Sequence, residues 1–488
     1  MPELILPGVY IEVRPEALIV PASITVGNIG IVGTAARGPA VISDQPAPAN
    51  CVQTIGSFAE AKDIYGAYDA YDNPDVAGSP LTLVRGLEQA YNAGASTVFA
   101  VRVASAAAAF ATLDLGTSAK VSANSPGTWG NNITVKVEDV TPAPVPPTSK
   151  VTLDWGTAEE VYIVKDGNDL VAQLANLSAF AMATPGSAPT TRPAAMAATH
   201  LKGGDPGAKA GVTEFKGGLA LLTEQNAHII VTPGQDSKEM IADLMAHVED
   251  ASTDKIRHER IGIVGSPARA ANKTSQDQIN AIEGLTIDDP RMIYVAPGIK
   301  VTDAAKAIAA TKAGGPTDTT VVLPGSYTAA AIAGLLSSFD PQVSPTNKTL
   351  PVADLETLFN SAELKQLVLD RVMVIEERNG VRIVKGITTN DGAFRQVTTV
   401  RIVDYAKFGI RSAAEPFIGL LNNDRVRKAL KGAINGFLAG MVDDEMLISY
   451  DLDVSATRDQ EIRGIAQVTL TLRPTFSIDF IKVVMFLG

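Results

Sequence analysis

The sequence predicts a multidomain chain of mixed α/β and α+β class: a central α/β sheet domain with an inserted, mostly β outer domain, then a C-terminal α+β core domain, with a strand arm at each end. Three observations predict it. Between residues 212 and 345 four apolar runs, AHIIVTPG, IGIVGSP, MIYVAPG and TVVLPGS, each end in a Pro- or Gly-containing turn. Helix-prone segments such as SKEMIADLMAHVED and VTDAAKAIAATKAG lie between some of them, which is the pattern of a parallel sheet with crossover helices. After residue 361 the rhythm changes to a strand pair, RVMVIEERNG and VRIVKGITT, joined through Asn379-Gly380, a strong hairpin signal. Finally, the chain opens and closes on β-prone stretches set off by proline, GVYIEV before Pro15 and FSIDFIKVVMFLG after Pro474.

Taken in order, residues 1–25 read as an arm in which Val9, Ile11 and Val13 alternate with Tyr10, Glu12 and Arg14, the period of a strand with one buried face. Residues 26–104 read as the first α/β part of the core, with VGNIGIVGTAA a buried strand, SFAEAKDIYGAY and LTLVRGLEQAYNAGA helical, and STVFAVRVA a strand. Residues 105–205 turn to Ala, Ser, Thr and Pro, with a loop at TPAPVPPTSK and strands around NNITVKVEDV and EEVYIVKDG, and read as an inserted surface domain. The central α/β domain is expected over 206–350 and the C-terminal α+β domain over 351–473. In the latter, helices in QVTTVRIVDYAKFGIRSAAEPFIG and NDRVRKALKGAINGFLAGMV precede the strands LISYDLDV and GIAQVTLTLRP. Residues 474–488 form the second arm. A lone strand satisfies neither its backbone groups nor its apolar face, so each arm is expected to join a sheet edge, its own or a neighbour's.

Composition excludes several classes. With 488 residues and 46% hydrophobic content the chain has material for large cores, and a net charge of −12 argues against general binding to nucleic acid or anionic lipid. No apolar run approaches the roughly 20 residues that span a bilayer. Glu3, Glu12 and the early prolines do not read as a signal peptide, so assembly in the cytosol is the expectation. Residues 361–488 hold 17 Lys and Arg against 16 Asp and Glu, so the acidity lies in the rest of the chain. Arg425, Arg427, Lys428 and Lys431 crowd the start of a predicted helix, where cations oppose the helix dipole. They read either as a solvated face or as a patch facing an acidic partner.

Catalytic chemistry finds little support. Thr232, Ser266 and Ser326 lie in turns after predicted strands, where α/β enzymes place nucleophiles, but none sits in G-x-S-x-G. Of the four histidines, His200, His228, His247 and His258, His228 falls in an apolar strand and His247 on a helix, and both read as structural. The single cysteine, Cys51, reads as a buried small residue, and Asp443-Asp444-Glu445 and Asp288-Asp289 as solvated turn clusters. No P-loop or dinucleotide fingerprint is present, and no cofactor or metal is expected.

The motifs LPGVYIEV, GIVGTAARGP, SPGTWGNNITVKV at 125–137 and LKGGDPG at 201–207, followed by the course from VRKALKGAINGFLAGMV to TLRPTFSIDFIKVVMFL, together resemble the tail sheath proteins of contractile bacteriophages and related injection systems. The resemblance implies a structural, non-enzymatic subunit of a helical sheath that contracts to drive an inner tube through a cell envelope. It implies arms, through Val9, Tyr10, Ile11, Glu12 and Val13 and through Ile478, Phe480, Ile481 and Val483, that pair with neighbouring subunits. It further implies a C-terminal domain facing the tube, with Arg425, Arg427, Lys428 and Lys431 as the tube-facing patch. The partners implied are further copies of the chain, the inner tail tube protein, the baseplate and the tail terminator, with no nucleic acid or membrane. The place implied is a virion tail assembled in the host bacterial cytoplasm, with a bacterial injection system as the other home of this design. Two other classes stay open at this point: an α/β hydrolase-like enzyme and a self-assembling shell without a tube.

Overall fold

The computed structural model describes residues 27–42, 50–68, 81–141, 147–156, 158–270, 272–283, 287–313 and 319–486. The predicted strand arm at 1–25 lies outside them. The chain divides into two compact units, a larger one of Gly27–Asp340 with Ser344–Val397 and a smaller one that includes Pro341–Val343 and residues from Thr398 onward.

In the larger unit the first elements are β1 (Ile29–Gly33), β2 (Ala40–Ile42), β3 (Val52–Ile55), α1 (Phe58–Tyr65), α2 (Thr82–Asn92) and β4 (Val98–Ala104). Every residue of β1 is buried, as a strand covered on both faces requires. After the insertion come α4 (Val212–Leu222), β12 (Ile229–Val231), α5 (Ser237–Ala251), β13 (Ile261–Gly265), α6 (Ser275–Glu283) and β14 (Met292–Ala296). The unit ends with β15 (Ile299–Thr302), α7 (Ala304–Ala313), β16 (Thr320–Leu323), α8 (Gly325–Ser337), β17 (Asp354–Leu355), α9 (Ser361–Leu369), β18 (Met373–Glu377) and β19 (Val381–Ile383). Nine strands form one sheet in the order β19-β18-β14-β13-β12-β1-β4-β2, with β3 also on β4. It is parallel from β18 through β2, and β19 and β3 are antiparallel additions at its two sides. Phe215, Leu219 and Leu222 of α4 and Met240, Leu244 and Val248 of α5 pack with Val32, Ile230 and Val264 on one face. A Cβ added to Gly86 of α2 would meet Ile31 from the other face, so alternate residues of β1 are claimed by opposite helical layers.

Two expectations for this unit need correcting. TVVLPGS is a strand, β16, but it pairs antiparallel with β15 in a separate three-stranded sheet and does not join the parallel one. The residues after Pro297 form a strand of their own, and β16 returns along it after α7. The Asn379-Gly380 hairpin is present, with φ of 54° and 95° at the two turn residues as a type I′ turn needs. Its first strand, however, extends the parallel sheet beside β14, which places it in the larger unit and moves the compact division from 351 to Thr398.

The insertion holds β5 (Thr112–Leu115), β6 (Ala119–Ala123), β7 (Thr134–Asp139), β8 (Ser149–Asp154), β9 (Glu159–Val164), α3 (Gly167–Leu177), β10 (Ala181–Pro185) and β11 (Met196–His200). They make a three-stranded sheet, β10-β6-β5, and a four-stranded one, β11-β7-β8-β9. Both share a core of Val121, Ile133, Val135, Val151, Leu153, Leu170 and Leu174, so the mostly β reading of 105–205 holds.

In the smaller unit, α10 (Val397–Ala414) and α11 (Asp424–Asp443) precede β20 (Leu447–Ser455), α12 (Arg458–Ile462) and β21 (Gln467–Pro474). On α11 the buried residues Arg427, Leu430, Ile434, Leu438 and Met441 recur at helical spacing. They meet Ile402 and Ala406 of α10 and the inward side chains Tyr450, Leu452, Leu470 and Leu472 of the β20–β21 ribbon. Residues 475–486 carry no strand.

Candidate assembly interface

In a doubly wound sheet, ligands bind outside the carboxyl ends of the strands where the strand order reverses. Here that point lies between β1 and β12. Thr82, at the start of α2, receives and returns hydrogen bonds with Thr34 just after β1 (3.0 and 3.1 Å). A Cβ on Gly234 would lie 2.2 Å from the Thr82 side chain, and one on Gly265 would lie 1.8 Å from the Gly325 carbonyl carbon. The loops after β12 and β13 are thus packed directly against the starts of α2 and α8. Thr232, Ser266 and Ser326 are all buried, and the Ser326 hydroxyl accepts from the Gly234 amide.

The histidines of the larger unit's sheet lie at the other end. His228 and His258 precede β12 and β13, and His247 Nε2 is 3.0 Å from Nη1 of Arg260, which itself precedes β13. Strands of three to five residues separate the two ends by about 10–17 Å, so no histidine reaches a candidate nucleophile. His200 is exposed in the insertion. Burial and the Arg260 charge push the His247 imidazole down to about 4. Burial pushes the Cys51 thiol up to about 11, away from thiolate chemistry. Asp288 accepts from Asn390 and the Asp391 amide, and Asp289 from the Arg291 amide, which makes that pair a turn closure. Among the described residues no group of three acidic, histidine or cysteine side chains is placed to hold a metal.

The predicted basic patch separates into two kinds of residue. Arg425, Lys428 and Lys431 are exposed, whereas Arg427 is 9% exposed and turned inward on the apolar stripe of α11. Its guanidinium pairs with Asp424 and with Glu461 of α12 (3.0 Å) and also donates to the Asn422 side chain (2.9 Å). Arg458 and Arg427 together hold the Glu461 carboxyl below the usual carboxylate range, and Asp424 first and then Glu461 raise Arg427 in turn. Arg427 thus fastens the ribbon's connection to the start of α11 and is withdrawn from the surface patch. Its position three residues before Leu430 and seven before Ile434 was the available sign.

The β20–β21 ribbon is the unusual feature. Its inward face is covered by α11, yet among the described residues neither outer edge has a strand partner along eight-residue ladders. Beyond it, Phe476, Ile478, Phe480, Ile481, Val483 and Met485 are 59–85% exposed, and Phe486 is 91% exposed. A two-stranded ribbon is marginal alone, and an open edge beside an exposed apolar segment invites strand addition.

Residues 389–487 match the family model of the phage tail sheath C-terminal domain. This part of the chain is similar to the C-terminal domain of phage tail sheath proteins. The sheath fold runs well beyond it. A sheath tail protein from Desulfitobacterium hafniense superposes with a TM-score of 0.62 at 17% identity, over 96% of this chain and all of its own. One from Listeria innocua gives 0.67 at 14% identity over 94% of both chains. The helical sheath of the anti-feeding prophage in its contracted state gives 0.53 at 15% identity over 99% of both. No curated protein matches the chain at the sequence level. The fold of contractile sheath proteins is therefore the fold of this chain, inserted domain included.

Proposed function

We propose that the protein is the structural subunit of a contractile sheath, stacked helically around an inner tube that contraction drives through a bacterial envelope. The observation that carries this is the ribbon, neither of whose outer edges has a strand partner among the described residues, next to an exposed apolar segment. Each subunit offers two edges and owns two arms, Val9–Val13 and Ile478–Val483, so arms from neighbours complete a shared sheet and every edge is paired. The assembly partners are further copies of the chain, the inner tube, which the exposed Arg425, Lys428 and Lys431 of α11 face, and the baseplate and terminator at the ends. The place is a tail assembled in the bacterial cytoplasm. No catalytic step belongs to this role.

Removing residues 1–20 tests it. The full chain should form tubes or rings by negative-stain microscopy, and the truncated chain should stay folded, with unchanged circular dichroism, and form neither. Normal tubes from the truncated chain would defeat the donated-arm reading.

A further inference from the structure

One end of the smaller unit carries a continuous apolar patch. Ile418, Leu420 and Leu421, in the turn between α10 and α11, are 80, 56 and 77% exposed, and Ile462 and Ile465, in the connection between β20 and β21, are 74 and 46% exposed. The two segments are tied together. Asn422 Nδ2 donates to the Ile465 carbonyl (2.9 Å), and Arg427 Nη1 donates both to Asn422 Oδ1 (2.9 Å) and to Glu461 (3.0 Å). Five aliphatic side chains therefore sit together at the tip of the ribbon, where a free chain leaves them in water.

We infer that this patch seats Leu4, Ile5 and Leu6 of a second copy of the chain, an inference that rests on the strand-donation reading above. Twenty-six residues precede Gly27 outside the described part of the chain, and they hold three apolar runs, Leu4–Leu6, Val9–Val13 and Leu18–Val20. Pro7 and Pro15 leave seven residues between them for a donated strand, which matches the eight-residue edge of β21. Leu4–Leu6 lies beyond Pro7, outside that ladder, and needs an apolar surface of its own. Leu6 is two residues from Gly8, about 7 Å of extended chain, so it falls just past an end of the ribbon. At the end near Leu447 and Pro474 the strands offer Ile448, and the exposed Phe476 and Ile478 beyond them belong to the arm that is itself donated away, whereas the tip offers five. The arm accordingly runs with its amino end toward the tip, parallel to β21 or antiparallel to β20, and the patch is the terminal anchor that fixes the register of the donated strand.

The test uses two full-length chains, both carrying Cys51→Ala, one with Ile5→Cys and the other with Leu421→Cys, mixed, assembled into tubes and oxidised. A disulfide-linked dimer should form in the mixture and not in either chain alone. Tubes that form without the dimer overturn the inference while leaving the sheath reading intact, because tube formation alone reports on the latter. Should the mixture not assemble, a peptide of residues 1–14 is titrated against the soluble full-length chain. Binding weakened about tenfold by Leu420→Ser with Leu421→Ser supports the anchor, and binding that is absent or unchanged by those substitutions overturns it.

Discussion

His247 shows how one buried residue ties the stability of the chain to pH. Its Nε2 accepts from Arg260, whose guanidinium also donates to the carbonyls of Leu222, Thr223, Gln225 and His258 and so closes the end of α4 onto the start of β13. Protonating the imidazole would set a second cation against that guanidinium in a buried place. The folded chain therefore takes up this proton only near pH 4, and the unfolded chain near 6.5. The unfolded state binds more protons between those values, so stability is full above pH 6.5 and falls as the pH drops toward 4. The shift corresponds to roughly 3 kcal/mol by the acid end of the window. His247→Gln, which keeps an acceptor without the charge, should flatten the melting temperature of the unassembled 1–20 deletion chain between pH 6.5 and 4.5. An unaltered pH slope would show that other groups carry the acid sensitivity.

At the scale of elements, α11 does two jobs on two faces. The inward face carries Leu430, Ile434, Leu438, Met441 and the clasping Arg427, and the outward face carries Arg425 and Lys428. Lys431 lies 3.6 Å from Asp453 with both side chains half exposed, a pair that contributes little on its own. Arg425 and Lys428 oppose the dipole at the helix start, so Arg425→Glu with Lys428→Glu should leave the unit as stable as before or slightly more so. If these side chains face the inner tube, the reversal should weaken assembly templated on tube more than assembly of sheath alone. Equal loss of both would sink that assignment. Arg427→Met should do the reverse, lowering the melting temperature, because Glu461 loses one of its two charged hydrogen-bond partners. The sequence made α11 legible as a helix with an apolar stripe and a basic start. It did not separate Arg427 from its neighbours, because a cation count ignores which face each position occupies. The same limit explains β16: an apolar run ending in Pro-Gly is a strand by local rules, but whether it joins the parallel sheet depends on β15, four residues that the run pattern passed over. The hairpin at Asn379-Gly380 was secure because its turn chemistry is local, and its placement in the larger unit was not, because the β14–β18 pairing spans a long sequence separation.

For the whole molecule, the sheath reading proposed above requires that the energy of contraction reside in contacts between subunits. Work of this kind requires bodies that move without yielding. The inserted domain is built as part of such a body. Arg102, buried in β4, donates to the carbonyls of Gly38 (2.6 Å) and Pro126 (2.8 Å), the Ser125 hydroxyl accepts from the Gly38 amide, and Arg37 lies 4.2 Å above the ring of Trp155. Trp155 in turn meets Trp129 edge to face at 5.5 Å and Phe180 at 6.1 Å. These are the two tryptophans of the sequence, so intrinsic fluorescence reads the joint between insertion and core and little else. Residues 398–474 should likewise keep their internal packing, because unpairing a sheet shared between subunits, as proposed above, would leave backbone groups unsatisfied. Tubes switched from the extended to the contracted form should therefore keep the same tryptophan emission maximum, and structures of the two forms should superpose separately on the larger and smaller units. A red shift on contraction would mean that Trp155 parts from Arg37 and that the insertion moves independently. A refolded ribbon, or arms released from their neighbours, would mean that the lattice is remade during contraction, and the rigid-body mechanism would fail.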